Sequence, residues 1–441
     1  MREHRSPWLK GLSSGRVVNP LEGKKRADVV VVGGGIAGVS TAFELLEHSE
    51  MTVMLIEADR IAHGASGNGS GQVTPSFEGG FSSMAERFGT DLAKAAFRQI
   101  VSSKRRFGEV AKVSGSRDQV HHVRAYIGFS SIDMAEALGR SSLEGVSAKQ
   151  PPISIYAAVG SGWNCELKGR GIKPIPAKPE KILEMLGTPD DSFRAAAIAR
   201  TTIANVASIC EGLVQRMLQA YPERFVLHEG TRALSFHSDR PMSIKCEKGS
   251  VECRRAVICT NGFSLPDLSD TPSSFPDDFL QCVTGYMNGY RPLQKGKKVG
   301  LFFHEEQPSA DEPYIFSTTW GKGSEDEMLM VGGPQFACDD GVRRISDDER
   351  AHARIDQLAS IIFGIRERAR AYWDGPMGYT SSGVRLAGPD PKNPNLFYNL
   401  GCNGIGILHS IYGAHRIAAI MAGKKTEDSV FDPVHQFNGS D

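Results

Sequence analysis

The sequence predicts a mixed α/β (α+β) fold: a parallel sheet interleaved with an antiparallel-sheet domain. Three observations predict it. A glycine-rich turn near the start joins a buried apolar run to a helical pattern. Near the end, "NLFYNLGCNGIGILHSIYGAHRIAAIMAG" (395–423) repeats the order strand, glycine-rich turn, helix. Between them lie two blocks of strand-like runs, at 224–260 and 280–334. Successive runs of that kind read as antiparallel sheet.

Taken in order, "ADVVVV" (27–32) is an all-apolar, β-branched run, which suits a strand buried on both faces. "IAGVSTAFELLEHS" (36–49) follows with helical spacing of Ala37, Thr41, Leu45 and His48. "MTVMLIE" (51–57) is a second buried strand. Between the first strand and the helix, Gly33, Gly35 and Gly38 form G-x-G-x-x-G. The first glycine permits the tight turn, the second lets a pyrophosphate approach, and the third lets helix and strand pack closely. The helix start at Ile36 and Ala37 offers N–H groups and a positive dipole end to phosphates. Glu57 ends the second strand, where a carboxylate can bind ribose hydroxyls.

"HGASGNGSGQ" (63–72) has two readings. Its glycines and serines suit a flexible linker. Its place just after Glu57 suits a backbone cradle for a ligand. Further on, 84–112 reads as one long helix, and 150–185, rich in Pro, Gly and Lys, as an irregular excursion. Helices are expected at 206–222 and 347–369.

Composition narrows the partners. Lys+Arg and Asp+Glu both number 51, so no basic face for nucleic acid is expected. The 8 cysteines lack C-x-x-C spacing and read as scattered thiols in a reducing compartment, with no metal site. The N-terminus has no apolar signal core, and no run is long enough to span a membrane. A cytoplasmic protein is the expectation.

Four blocks carry a resemblance: "SPWL" with "ADVVVVGGGIAGVSTAFELL", "EADRIAHGASGNGSGQ", "RRAVICTNGF", and "WDGPMGYTSSGVRLAGPDP" with "NLFYNLGCNGIGI". Together they resemble the FAD-dependent D-amino-acid oxidase superfamily, over nearly the whole chain. The resemblance implies a Rossmann-like FAD-binding domain of 27–80, 200–265 and 366–425. It implies a substrate domain of 81–199 and 266–365, with an N-terminal extension (1–26) and a tail (426–441). Ala65, Ser66, Gly67 and Gln72 would line the pyrophosphate and flavin. Ala233 would serve the adenine, and Thr260 and Gly262 the ribitol and pyrophosphate. Gly404, Gly406 and Ile407 would set N–H groups at the flavin's pyrimidine edge. Relatives with a covalent flavin use His or Cys where this chain has Asn68 and Met377, so FAD is expected to be non-covalent.

The reaction implied is oxidation of a C–N bond in a small amine or amino acid. Hydride passes to flavin N5, the imine hydrolyses, and oxygen or another acceptor takes the electrons. The alternatives are a flavin dehydrogenase with a non-oxygen acceptor and a non-catalytic flavin-binding protein. For catalysis the candidates are Tyr379 and Arg385. Arg385 aligns either with a carboxylate-binding arginine or with a proline, and it has a structural reading too. The family's Asp-Gly-x-Pro is here Ser382, Gly383, Val384 and Arg385. Arg291 and His409 are weaker candidates.

Overall fold

The computed structural model describes residues 6–10, 12, 15–146, 153–237, 241–263, 265–292, 298–304, 312, 314–321, 327–338 and 345–437. The outer ends of the expected extension and tail, 1–5 and 438–441, lie outside these residues.

The first sheet is built on five parallel strands. In spatial order they are Phe225–His228, Val53–Ile56, Gly23–Val32, Gly249–Ile258 and Asn393–Leu400. Val29, Val30 and Val31 are each 0% exposed, as an all-apolar central strand requires. Helix Ile36–His48 leaves the carboxyl end of Gly23–Val32 and packs against helix Gly406–Met421. An antiparallel extension, Ala233–His237 and Met242–Cys246, joins the other half of the Gly249–Ile258 edge.

The second sheet is mostly antiparallel. Its order is Ala371–Thr380, Leu280–Tyr290, Met328–Ala337, Ile315–Trp320, Val299–Phe303, Val120–Phe129, Ala195–Ala204, Ser154–Ala158, Ile175–Ala177. The sheets therefore divide the chain differently from the expected segments. Strand Ala371–Thr380 belongs to the second sheet, and Asp267–Asp270 to the first.

Two expectations need correction. Segment 150–185 is not irregular: it contains Ser154–Ala158, helix Trp163–Gly169, Ile175–Ala177 and helix Pro179–Leu186. Its Gly and Pro mark element ends. Gly162 (φ 81°) precedes one helix, Pro179 opens the next, and Gly187 (φ 69°) closes it. Residues 84–112 form parts of two helices, Gly80–Phe88 and Thr90–Val113, broken at Gly89 with φ 83°. The N-terminal extension is part of the fold, since Trp8, Leu9 and Leu21 are buried in the core.

Candidate active site

The glycine turn sits at the carboxyl ends of the parallel strands. Gly33 adopts φ 109°, and its N–H donates to the Ile56 carbonyl at 2.8 Å. A Cβ on Gly33 would stand 2.7 Å from the Cys259 oxygen. A Cβ on Gly38 would stand 1.8 Å from the Gly33 oxygen, so only glycine lets this helix touch this turn. Helix Ile36–His48 has no side-chain cap of its own. Ser66 supplies one from a distance, its Oγ accepting from the Ile36 N–H at 2.8 Å.

The Glu57 carboxylate accepts from the backbone N–H of Gly34 at 2.5 Å and of Asp59 at 2.8 Å. Burial nevertheless raises its pKa, outweighing these two bonds. The turn before Ala233 folds back onto it, because Thr231 N–H donates to the Glu57 carbonyl at 2.7 Å.

Segment 63–72 is not a floppy linker. Ala65–Asn68 is a helical turn and Gln72–Val73 a short strand. Two indoles fasten it: Trp8 Nε1 donates to the Gly69 carbonyl at 2.7 Å, and Trp373 Nε1 to the Asn68 carbonyl at 3.1 Å. A Cβ on Gly67 would lie 2.4 Å from the Ala62 oxygen and 2.5 Å from a Leu9 methyl. The Gln72 amide reaches the second sheet, donating to Thr318 Oγ1 at 3.1 Å.

Opposite this cradle, three segments meet. Asn261 Oδ1 accepts from the Cys402 N–H at 2.9 Å, and Asn403 Oδ1 from the Thr380 N–H at 2.9 Å. Both asparagines take left-handed backbone, φ 55° and 43°, held by those bonds. A Cβ on Gly262 would meet the Met377 oxygen at 2.4 Å. The glycine turn leads into helix Gly406–Met421.

Over this turn lies a polar wall. A Cβ on Gly404 would stand 3.0 Å from the Tyr379 hydroxyl and 3.3 Å from Glu78 Oε2. The Tyr314 hydroxyl donates to Glu78 Oε1 at 3.3 Å. Glu78 is solvent-accessible, yet the protein around it pushes its pKa up to about 6. Burial also raises the Tyr314 and Tyr379 hydroxyls.

The family model described as FAD dependent oxidoreductase (DAO) matches residues 28–420. The chain belongs to this family. It is therefore an FAD-dependent oxidoreductase. A "Probable oxidoreductase OrdL" of Rhizobium meliloti is 24% identical over 95% of this chain and 89% of its own. The "Gamma-glutamylputrescine oxidoreductase" of Escherichia coli is 40% identical over 67 residues, 15% of this chain and 16% of its own. Among solved structures, glycine oxidase from Geobacillus kaustophilus superposes with TM-score 0.70 at 18% identity, covering 92% of this chain and 98% of that one.

The residues of this oxidoreductase suit the family's cofactor on their own chemistry. Gly33 and Gly38 let the turn, the helix and the Cys259–Thr260 backbone pack closely enough to bring the helix start to the strand ends, where a phosphate would bind. Thr260 Oγ1 is buried without a hydrogen-bond partner, an uncompensated group that a bound polar ligand would satisfy. Ser66 meets Ile36 and Gly35, Glu57 meets Gly34, and the Thr260 N lies 3.4 Å from where a Cβ on Gly33 would stand; Gly404 meets Tyr379.

The remaining candidates are placed differently. Arg385 is 3% exposed, with its guanidinium donating to Asn399 Oδ1 (2.6 Å), the Asn399 carbonyl (2.8 Å) and the Gly401 carbonyl (3.4 Å). His409 is buried on the Ile405 carbonyl, and Arg291 is exposed. Sequence reasoning missed Glu78. Its one signal was an acid shortly after the Gln72 loop, which no motif flags.

Proposed function

We propose that this oxidoreductase oxidises the C–N bond of a small amine or amino acid, with non-covalent FAD and oxygen as electron acceptor. The observation that carries the reading is the Glu78–Tyr314–Tyr379 wall facing Gly404. It offers a carboxylate and hydroxyls to a polar substrate at the turn where the resemblance sets the flavin's pyrimidine edge. The names of two relatives, a γ-glutamylputrescine oxidoreductase and a glycine oxidase, favour a C–N bond over other donors.

Bound FAD supplies the two-electron acceptor, which no side chain can be. The protein's part is to bind, orient and manage protons. Gly33, Gly35, Ile36, Ala37, Gly38, Ser66 and Glu57 would hold the ADP half. Ala65, Gly67, Gln72, Thr260 and Gly262 would hold the middle, with Ala233 beside the adenine. N–H groups at Gly404, Gly406 and Ile407 begin a helix whose positive end favours negative charge. A neutral amine gives up hydride without a strong base, which fits a site of tyrosines and one raised carboxyl. Asn68 turns its amide onto the His63 and Gly64 carbonyls, and the Met377 thioether packs over Gly285. Neither is a flavin-linking His or Cys. Eight unpaired cysteines fit a cytoplasmic setting.

Anaerobic titration of the purified yellow protein with a panel of amines and amino acids tests the function. A member of the panel should bleach the flavin, and air should restore the colour with release of peroxide. Bleaching by no C–N compound would overturn the reading. Acid precipitation should leave a colourless pellet.

A further inference from the structure

We propose that the Glu78 carboxylate, flanked by the Tyr314 and Tyr379 hydroxyls, is the docking group for a cationic head that the substrate carries besides the amine it oxidises, so that substrates are selected by positive charge rather than by an α-carboxylate. This rests on the amine-oxidation reading and names the substrate class of that same site.

Position comes first. Glu78 Oε2 and the Tyr379 hydroxyl converge on Gly404, within 3.3 and 3.0 Å of where its Cβ would be. Both therefore face the space above the glycine turn. Glu78 Oε1 is held from the side by the Tyr314 hydroxyl at 3.3 Å, which fixes the carboxylate and leaves Oε2 toward the cleft.

Charge comes second. No described Lys, Arg or His forms an ion pair with Glu78. Glu78 keeps solvent access, but neighbouring protein with no cation beside it makes its carboxylate harder to ionise, and its pKa is raised to about 6. A bound ammonium or guanidinium would ease that ionisation. Two aromatic rings beside the carboxylate add a surface that cations favour.

The candidate carboxylate clamp is elsewhere. Arg385 is committed to Asn399 and Gly401, behind the glycine turn, and is 3% exposed. It has no face left for a bidentate grip on a substrate carboxylate.

Binding should depend on pH in a defined sense. Among the described residues, the titratable groups beside Glu78 are Tyr314 and Tyr379. The two tyrosines are raised by burial and stay protonated as pH passes through about 6. Cation affinity should therefore rise as pH rises through about 6, as Glu78 ionises.

The test uses the FAD-loaded protein and probes that are not oxidised: butylguanidinium, butyrate and butanol. Binding is read by calorimetry and by the flavin difference spectrum. Butylguanidinium should bind best, and Glu78→Gln should weaken it about tenfold or more while leaving butanol unchanged. Glu78→Asp should restore part of the loss. Should Glu78→Gln fail to load FAD, Tyr314→Phe decides: losing its hydrogen bond should move the pH midpoint for butylguanidinium upward. Equal butylguanidinium binding in wild type and Glu78→Gln, tighter binding of butyrate than of the cation, or an unmoved midpoint in Tyr314→Phe would each overturn the proposal. Amines that bleach the flavin equally in wild type and Glu78→Gln would sink this inference and leave the function standing. Glu78-dependent cation binding with no bleaching by any amine would do the reverse.

Discussion

Arg385 holds a charge in the interior with carbonyls and an amide around it. Burial lowers its pKa to about 10, so it stays protonated at neutral pH. Three donors of one rigid fork reach Asn399 Oδ1, the Asn399 carbonyl and the Gly401 carbonyl. Asn399 in turn donates to Thr41 Oγ1 and the Ser410 carbonyl, tying the last parallel strand to helices Ile36–His48 and Gly406–Met421. Lysine is a point donor and cannot make that fork. Arg385→Lys should therefore lower unfolding stability by about 2 kcal/mol or more, from losing charged, buried hydrogen bonds. KM should be unchanged in the FAD-loaded fraction. Urea unfolding and steady-state kinetics check this; intact stability with a raised KM would return Arg385 to the substrate site. The sequence left these two roles open because motif alignment fixes position along the chain, not which way a guanidinium turns. Gly38 was legible because its requirement is local. Gly38 must be glycine for a contact with Gly33, five positions back.

At the scale of elements, helix Ile36–His48 shows what sequence spacing cannot supply. Its start lacks a capping side chain, since Gly35 stands at that position. Ser66 fills the role from 30 residues away, and that partnership leaves no trace in local pattern. The same is true of the loop's stiffness. Composition made 63–72 a plausible linker, but Trp8 and Trp373 bind its carbonyls from opposite ends of the chain. Ser66→Ala should uncap the helix at a cost of about 1 kcal/mol in stability. It should also weaken FAD binding several-fold, since the cap and the cradle share the same turn. Thermal unfolding with and without added FAD measures both. Loss of stability with unchanged FAD affinity would separate the cap from the cofactor. Segment 150–185 was misread for the opposite reason. Its Gly and Pro are real breakers, but they punctuate short elements whose pairing partner, Ala195–Ala204, lies beyond the window of local pattern.

For the whole molecule, the core under the C-terminal glycine turn makes folding sensitive to acid. His409 lies in the first turn of helix Gly406–Met421, 4% exposed, with Nδ1 on the Ile405 carbonyl at 3.0 Å. Burial, with the Arg385 charge nearby, lowers its pKa from 6.5 to about 3. The unfolded chain therefore binds a proton there that the folded chain refuses, throughout that interval. Stability should fall as pH drops below 6.5, with a limiting slope of about 1.4 kcal/mol per pH unit from this one group. Glu78 works the other way. Its folded pKa of about 6 exceeds the ordinary 4.5, so the folded chain holds the extra proton between those values. The two contributions oppose each other there, and wild-type stability alone would hide both. The difference between wild type and His409→Asn isolates the histidine, because asparagine can keep a donor on the Ile405 carbonyl without titrating. Urea midpoints measured from pH 4.5 to 7.5 should show the wild-type advantage shrinking steadily below pH 6.5. A difference that stays constant across the range would mean that His409 titrates alike in the folded and the unfolded chain. Below pH 6.5 the buried Arg385 and His409 would then both be cations beneath the glycine turn, and the electrostatics of helix Gly406–Met421 would need to be rebuilt from that fact.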